Sequence, residues 1–217
     1  MRRDIIIIGG GEHSKVILNS IYLKKNEWNI LGLVDDIKPD NNVIWLGSDE
    51  IFLNKIHEFP FARFIIGVGS VENRKKITDK YEKIINSFCT VIHPSAVVAN
   101  NIEIDSGVFI SANAVIQPGV RINKHVIINT GAIIEHDCRI GENSHIAPGA
   151  IMGGGCNIGN NCLIGIGVSI KDHITIGNNV TVGAGAVVVN DIEDDYTVVG
   201  IPAKPIKAYS MQQTLKS

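Results

Sequence analysis

The chain has 217 residues, of which 45% are hydrophobic and 19% charged, and its formal net charge is −2. This near-neutral balance provides no broad positive field, so nucleic acid and anionic membrane surfaces are not expected partners. Apolar runs such as Ile5 to Ile8 are far too short to cross a bilayer, and no leader pattern is present. These totals favour a cytoplasmic globular protein of one large domain or two small ones.

The first ninety residues alternate between strand and helix patterns. Residues 4–11 predict a buried strand that ends in a glycine turn, and 12–26 predict a helix. Two further strands are predicted at 29–36 and 62–70, and a second helix at 71–88. This alternation is typical of βαβ units, so residues 1–90 are predicted to form an α/β, Rossmann-like half-domain with about three parallel strands.

The glycine turn after the first strand partly matches a dinucleotide-binding motif. Gly9, Gly11 and Ser14 imitate G-x-G-x-x-G, and Asp35 ends the second strand where a ribose-binding acid would lie. The third glycine is missing, however, and about three strands make only half of a dinucleotide fold. The turn therefore predicts a site for one nucleotide, whose diphosphate the helix amides would receive. A tight turn without a ligand remains the alternative.

From residue 91 a six-residue repeat begins. Residues 91–192 divide into 17 hexads without insertion, and every second position is Ile, Val or Met. Sixth positions are Ala, Val, Ile, Ser or Cys, so they and the following second positions share one inward strand side. Fifth positions carry residues suited to turns with positive φ. Three hexads make one triangular coil, and the repeat predicts an all-β parallel β-helix of about five to six coils.

The cysteines have a structural explanation in this repeat. Cys138, Cys156 and Cys162 all occupy sixth positions and are therefore predicted to point into the β-helix core. Together with Cys89 they form no C-x-x-C pair, so zinc binding and thioredoxin-type chemistry are not expected.

The histidines of the repeat fall into two groups. His136 is at a fourth position and His145 at a first position, so both are predicted to point outward. His125 and His173 are at fifth positions and are predicted to be turn residues. No H-x₄-H pair occurs, which argues against a β-helical carbonic anhydrase and against any metal site. The triple glycine 153–155 would let a ligand approach the backbone closely.

Several stretches resemble the bacterial sugar acetyltransferases of the PglD/NeuD-like family. The matching stretches are GGGEHSK, LVDD, GVGSVENRKK, INTGAIIEHDCRIGENSHIAPGA, LIGIG and VVGIPAKPIK. The resemblance covers nearly the whole chain and implies that the β-helix is left-handed. It also implies a homotrimer with acetyl-CoA bound between adjacent β-helices. The implied reaction is acetyl transfer to a nucleotide-linked 4-amino sugar, with UDP as the expected nucleotide, in a surface-glycan or protein-glycosylation pathway.

The same resemblance implies a role for particular residues. His136 would be the general base, and Asp137 would raise its basicity, although a turn position alone also explains Asp137. The residues implied to contact acetyl-CoA are His145, Ile166 and Ala184, and Gly154 of the triple glycine is predicted to join them because its backbone is open to a thioester. The residues implied to contact the sugar nucleotide are Gly11, Glu12, His13, Asp35, Asp36, Gly69 and Arg74.

Residues 193–217 are predicted to form a cap and tail. Lys204 and Lys207 either meet coenzyme A phosphates or belong to a simple cap over the last coil. Two other functions fit the same sequence features. One is an O-acetyltransferase acting on sialic acid or another sugar hydroxyl, and the other is a non-catalytic nucleotide-sugar-binding protein. The pairing of His136 with Asp137 argues against the second, whereas the sequence separates N- from O-acetylation poorly.

Overall fold

The structure, a computed structural model, describes residues 2–24, 26–40 and 42–206. Its amino-terminal part contains β1 (Arg3–Ile8), α1 (Glu12–Leu23), β2 (Trp28–Val34), α2 (Asp49–Lys55), a 3₁₀ turn (Ile56–Glu58), β3 (Arg63–Ile66) and α3 (Val71–Tyr81). The three strands form a parallel sheet in the order β2-β1-β3. The predicted α/β half-domain is thereby confirmed.

The helices differ from their predicted lengths. Helix α1 ends at Leu23, before the predicted residue 26. Helix α3 ends at Tyr81 because the following segment turns back along β3, where the N–H of Phe64 donates to the carbonyl of Ser87. Helix α2 was not predicted. Its N-cap is Ser48, whose hydroxyl accepts a hydrogen bond from the N–H of Ile51 and so satisfies a free helix amide.

The β-helix places one two-residue strand at the start of each hexad from 91 to 188. In chain order these strands are β4 (Val91–Ile92), β5 (Val97–Val98), β6 (Glu103–Ile104), β7 (Phe109–Ile110), β8 (Val115–Ile116), β9 (Arg121–Ile122), β10 (Ile127–Ile128), β11 (Ile133–Ile134), β12 (Arg139–Ile140), β13 (His145–Ile146), β14 (Ile151–Met152), β15 (Asn157–Ile158), β16 (Leu163–Ile164), β17 (Ser169–Ile170), β18 (Thr175–Ile176), β19 (Thr181–Val182) and β20 (Val187–Val188). A final hairpin of β21 (Thr197–Val199) and β22 (Lys204–Ile206) closes the described chain.

The strands stack into three parallel sheets, which form the faces of a triangular prism. The first face contains β4, β7, β10, β13, β16 and β19, extended by the hairpin; the second contains β5, β8, β11, β14, β17 and β20; the third contains β6, β9, β12, β15 and β18. One coil is 18 residues long, as the pairing of Ile127 with His145 shows. From Gly107 to Gly185 every fifth position has positive φ, which is why glycine, asparagine, aspartate and histidine occupy it.

The core of the β-helix consists of the predicted inward positions. Isoleucine and valine ladders fill it, and Cys138, Cys156 and Cys162 are buried among them. Lys204 lies in the closing hairpin with its side chain exposed, and Lys207 lies outside the described residues. None of the helices in the described ranges is long and apolar enough to cross a membrane.

The half-domain docks onto the first face. Ile17 and Ile21 of α1 share one apolar cluster with Phe109 and Ile127, whose side chains point outward from the first face. The opposite side of the three-stranded sheet is covered by α2 and α3, with Phe52 and Tyr81 buried there. This docking fixes where the amino-terminal segments lie relative to the histidines of the β-helix.

Candidate active site

His136 lies in the turn from the second to the third face, which we call the second corner. Its side chain is 60% exposed, and its Nδ1 lies 2.9 Å from Oδ2 of Asp137. Because a carboxylate oxygen only accepts, the ring proton belongs on Nδ1, and the lone pair of Nε2 is left free. The hydrogen bond to Asp137 raises the pKa of His136, and neighbouring carboxylate charges raise it further. The ring is thus a strengthened base with one open nitrogen.

Asp137 also has a structural role at this corner. Its φ of 60° places it in the left-handed region, and its Oδ1 lies over Gly119 of the preceding coil. An aspartate at this position therefore both fills the turn and partners the imidazole of His136.

Gly154 lies beside His136, one coil further along the β-helix. A Cβ on Gly154 would fall 2.7 Å from both Cε1 and Nε2 of the imidazole, so only glycine is compatible with the observed position of the ring. The adjacent Gly153 and Gly155 donate their N–H groups to Ile170 and to His136, respectively. Among the described residues the N–H of Gly154 has no such acceptor. A free amide donor therefore lies next to the open nitrogen of the base.

Replacing Asp137 with asparagine should lower the pKa of His136, because Nδ1–H would then donate to a neutral oxygen. Asparagine is compatible with the turn, since Asn143 and Asn161 occupy the equivalent position with positive φ. The pKa can be followed by NMR titration of the imidazole C–H signals. Asp172→Asn is the control, because its carboxylate lies beside His173 instead. An unchanged pKa of His136 in Asp137→Asn would contradict the assigned pairing.

His145 lies on β13 of the first face, beneath the half-domain. Its Nδ1 is 3.0 Å from the carbonyl oxygen of Gly69 and therefore carries the proton. Its Nε2 accepts from the side-chain amide of Asn129 at 3.0 Å, and that amide is oriented by the N–H of Thr130. Burial, followed by the charge of Arg74, lowers the pKa of His145 to about 4. The ring is therefore neutral and held in one orientation at physiological pH.

His13 reaches the same region from the first turn of α1. Its ring lies edge-on to Phe109 at 5.4 Å between centroids and 6.3 Å from the ring of His145. Burial is the main reason why the pKa of His13 falls to about 4. Its Nε2 is buried without a partner among the described residues. The structure thus brings together three residues, His13, Gly69 and His145, that the sequence placed in separate segments.

Arg74 has a different placement from the one predicted for a substrate contact. It is 1% exposed, and burial lowers the pKa of its guanidinium to about 9. Its donors go to backbone carbonyls of both domains: those of Val68, Gly69, His125, Asn143 and Ser144. A guanidinium has five N–H groups, so this set occupies all of them. Arg74 therefore fastens the half-domain to the β-helix and has no donor left for a ligand.

The start of α1 is open to a ligand. Gly11 is the N-cap residue, and a Cβ placed there would meet nothing within 4 Å. Glu12 follows with an exposed side chain. The free amides of the first helical turn can receive an anionic group, as predicted for the diphosphate of a sugar nucleotide.

The two aspartates after β2 are used differently. The carboxylate of Asp35 accepts from the N–H of Gly10 at 2.6 Å and from that of Ile37 at 2.9 Å. Asp35 therefore shapes the glycine turn, and only its remaining lone pairs are available to a ribose. Asp36 is exposed, and its Oδ1 makes one long contact of 3.4 Å with the N–H of Asp49. Of the two, Asp36 is the more accessible to a nucleotide.

A cleft of about 760 Å³ lies between the start of α3 and the first face. Its walls include His145, Leu163 and Thr181 of the β-helix and Lys75 and Lys76 of α3. These two lysines were not predicted as site residues, because charged residues on a helix are usually solvent-exposed without a ligand role. Lys76 is paired with Glu72, which also lines the cleft, and Lys75 is paired with Asp79, so α3 brings charged side chains of both signs alongside the predicted cosubstrate contact.

The other predicted cosubstrate contacts lie apart from one another. Ile166 and Ala184 are exposed in the turns from the first to the second face, whereas Gly154 lies at the second corner. In a triangular prism the second corner is opposite the first face. A single chain therefore separates His136 and Gly154 from the cleft beside His145. No three His, Cys, Asp or Glu side chains within residues 2–24, 26–40 and 42–206 are grouped to hold a metal ion.

Comparison with known proteins gives matches for both parts of the chain. The PglD N-terminal domain family matches residues 4–81, and the bacterial transferase hexapeptide family matches residues 119–154 and 155–190. The acetyltransferase domain of PglB from Neisseria gonorrhoeae FA1090 is 33% identical and has a TM-score of 0.88, over 94% of this chain and 100% of that one. The chain belongs to this PglD-like family of hexapeptide-repeat acetyltransferases. The resemblance inferred from the sequence is thereby confirmed, and with it the β-helix of the left-handed type.

Two further relatives are informative. PerB from Caulobacter crescentus, solved in complex with CoA and GDP-perosamine, is 33% identical with a TM-score of 0.87, over 94% of this chain and 97% of that one. UDP-N-acetylbacillosamine N-acetyltransferase of Bacillus subtilis (strain 168) is 33% identical over 112 residues. That match spans 51% of this chain and 52% of the curated relative. The PglB domain has also been solved with acetyl coenzyme A.

Proposed function

We propose that this protein transfers the acetyl group of acetyl-CoA to the amine of a nucleotide-linked 4-amino sugar, with a UDP-linked sugar as the first candidate. The observation that carries the proposal is the second corner, where the strengthened base His136 lies beside the free N–H of Gly154. The named relatives support it, since they are N-acetyltransferases or are solved with acetyl-CoA, CoA or a nucleotide-linked amino sugar.

The proposed reaction is a direct transfer at the second corner. The amine attacks the thioester carbonyl while Nε2 of His136 accepts its proton. The N–H of Gly154 stabilises the oxygen that becomes negative in the tetrahedral intermediate. The C–S bond then breaks, and the imidazolium returns its proton to the departing thiolate, which leaves as the thiol of CoA. No covalent intermediate on the protein is required, and the core cysteines stay buried.

We further propose that two subunits of a homotrimer complete each site. The outward positions of the second face form a row with exposed apolar side chains, among them Val97 of β5 and Ile151 of β14. Such a row is expected to be covered by another subunit. Contact through this face would bring the second corner of one subunit to the first-face cleft of its neighbour. His136 of one subunit would then lie close to His145 of its neighbour, although within a single chain these two histidines lie on opposite sides of the β-helix.

The two substrates would then come from different directions. Acetyl-CoA would lie along the first face and the adjoining turns, contacting His145, Ile166 and Ala184 of one subunit and Gly154 of the other. The sugar nucleotide would lie against the half-domain, with Gly11, Glu12 and Asp36 near its nucleotide and His13 near its sugar. Neutral His13 and His145 would line this passage without adding charge, because both have a pKa near 4.

The decisive experiment follows CoA thiol release with acetyl-CoA and a panel of acceptors. The panel contains UDP-, dTDP- and GDP-linked 4-amino sugars together with free sialic acid. Release with a nucleotide-linked amine, and a mass increase of one acetyl group on that sugar, would support the proposal. Turnover of sialic acid alone would replace it with O-acetylation, and no turnover with any acceptor would refute it.

Replacing Gly154 with alanine should lower kcat by about a hundredfold, since a displacement of about 1 Å in a catalytic group has an effect of this size. The new methyl group would lie only 2.7 Å from Cε1 and Nε2 of the His136 imidazole and would therefore displace the ring. Stability should change little, because the clash is with an exposed side chain. Steady-state kinetics and a thermal melt measure the two effects.

Gly153→Ala provides the contrast to this substitution. Its Cβ would fall 2.5 Å from the backbone nitrogen of Asp172, inside the stacked coils. Gly153→Ala should therefore lower the melting temperature. Equal activity of Gly154→Ala and the unmodified protein would contradict the assigned site.

A further inference from the structure

Glu135 is a charged residue at the second corner that no step of the proposed reaction uses. It directly precedes His136, and it follows Ile134, which is buried in the core of the β-helix. Since successive strand residues point to opposite sides, the Glu135 side chain points outward, next to the base. Its carboxylate makes no hydrogen bond or ion pair with any group in residues 2–24, 26–40 and 42–206.

The neighbouring coils leave this carboxylate available. The register of the second face stacks Glu135 between Gln117 in the preceding coil and Gly153 in the following one. Gln117 carries no charge, and Gly153 has no side chain. The next residue of this row is Lys171, which lies two coils from Glu135, or about 10 Å at the usual spacing of strands. The triple glycine therefore leaves a gap without side chains next to both Glu135 and His136.

The charge of Glu135 acts on the base without a bond to it. The hydrogen bond from Asp137 is the main cause of the raised pKa of His136, and the charge of Glu135 contributes as well. Asp137 occupies Nδ1 of the ring, so Nε2 stays open. The corner thus offers a ligand two acceptors that no protein group uses, the lone pair of Nε2 and the Glu135 carboxylate.

Two neighbouring acceptors match a primary amine better than a hydroxyl. A neutral primary amine can donate one N–H to Nε2 of His136 and the other to Glu135, with its lone pair directed at the thioester carbon. A hydroxyl has a single O–H. When that hydrogen goes to His136, the lone pairs of the hydroxyl oxygen face an anion with no hydrogen between them. A site built to pair a donor discriminates against an analogue that lacks it.

Resting on the function proposed above, we propose that Glu135 accepts the second N–H of the acceptor amine and so selects a 4-amino sugar over the corresponding 4-hydroxy sugar. The corner therefore favours N-acetylation over O-acetylation. This role agrees with a sugar nucleotide that lies against the half-domain, because only the amine has to reach the corner.

The test replaces Glu135 with glutamine, which fits the coil because Gln117 occupies the equivalent position. The measured quantities are the KM of a UDP-linked 4-amino sugar and the inhibition constant of its 4-hydroxy counterpart. A glutamine amide can accept from an amine or donate to a hydroxyl, so the preference should be lost. The KM of the amine should rise about tenfold or more, because a charge-assisted hydrogen bond is lost. The inhibition constant of the 4-hydroxy sugar should fall, while the KM for acetyl-CoA and the melting temperature stay unchanged.

Two further variants separate this role from a general effect of charge. Asp172→Asn neutralises another exposed carboxylate of the same corner, which lies beside His173, and should leave the selectivity unchanged. Glu135→Asp keeps the charge with a shorter reach and should retain part of the selectivity. In Glu135→Gln the rise of kcat/KM with pH should also move to lower pH, because one cause of the raised pKa of His136 is removed.

An unchanged ratio of the 4-hydroxy inhibition constant to the 4-amino KM in Glu135→Gln would overturn the proposal. So would a higher KM for acetyl-CoA in its place, which would assign Glu135 to the cosubstrate. Absence of thiol release in the unmodified protein with every acceptor would refute the transferase function. Calorimetric titration with the two sugar nucleotides would still decide on Glu135, because the unmodified protein should prefer the amine and Glu135→Gln should not.

Discussion

Replacing His136 with glutamine should lower kcat by about 10² to 10⁴-fold, the usual contribution of a general base. The amine would then have to lose its proton without a positioned acceptor, although Gly154 would still stabilise the oxyanion. The melting temperature should be unchanged, because the His136 side chain is largely exposed and packs in no core. Thiol-release kinetics at saturating acetyl-CoA measure the effect.

A matched control for this substitution is His173→Asn. His173 is another exposed histidine of the second-corner turns, and asparagine satisfies its positive φ of 58°. The control should keep full activity if only the His136 ring accepts the proton. Full activity in His136→Gln would show that His136 is not the general base. It would also remove the strongest argument for catalysis at this corner.

The pH dependence provides an independent check on the same ring. As a base, His136 must be neutral, so kcat/KM should rise with pH through its pKa, which lies above the ordinary value for histidine. In Asp137→Asn this rise should move to lower pH. His13 and His145 should not contribute to it, because both become neutral near pH 4.

The β-helix and its catalytic corner could be predicted from the sequence because both depend on a local period. Residues 18 apart stack on adjacent coils, so the proximity of His136 and Gly154 follows from their numbers alone. The inward cysteines follow from the same count. In a fold of this kind the repeat length determines which side chains are neighbours.

The placement of the half-domain could not be predicted in this way, because it depends on tertiary packing between distant segments. Nothing in the sequence predicts that α1 packs against Phe109, or that the carbonyl of Gly69 accepts a hydrogen bond from His145. Arg74 illustrates the difficulty. The sequence motif that contains it resembles a ligand-binding site, whereas in the structure its side chain holds the half-domain against the β-helix. A signal was nevertheless present: Arg74, Thr78 and Tyr81 share one side of α3, and all three are buried.

Replacing Arg74 with methionine should lower the free energy of unfolding by about 3 kcal/mol or more. Methionine fills much of the same volume but donates no hydrogen bond. The buried carbonyls of His125 and Asn143, which now receive 3.2 and 2.7 Å hydrogen bonds, would be left without that donor. Because these carbonyls belong to the β-helix and the arginine to the half-domain, the loss should loosen the contact between them. Urea unfolding followed by circular dichroism measures the change.

Arg63→Met is the matched control, since it removes an exposed arginine from the same half-domain and should alter stability by less than about 0.5 kcal/mol. Arg74→Lys should restore only part of the stability, because an ammonium has three donors and no planar fork. Removing the charge should also raise the pKa of His145, since Arg74 is the second cause of its low value after burial. A stable Arg74→Met protein with an unshifted His145 would mean that apolar packing on the first face suffices for docking. Arg74 would then be unnecessary both for the interface and for keeping the imidazole neutral.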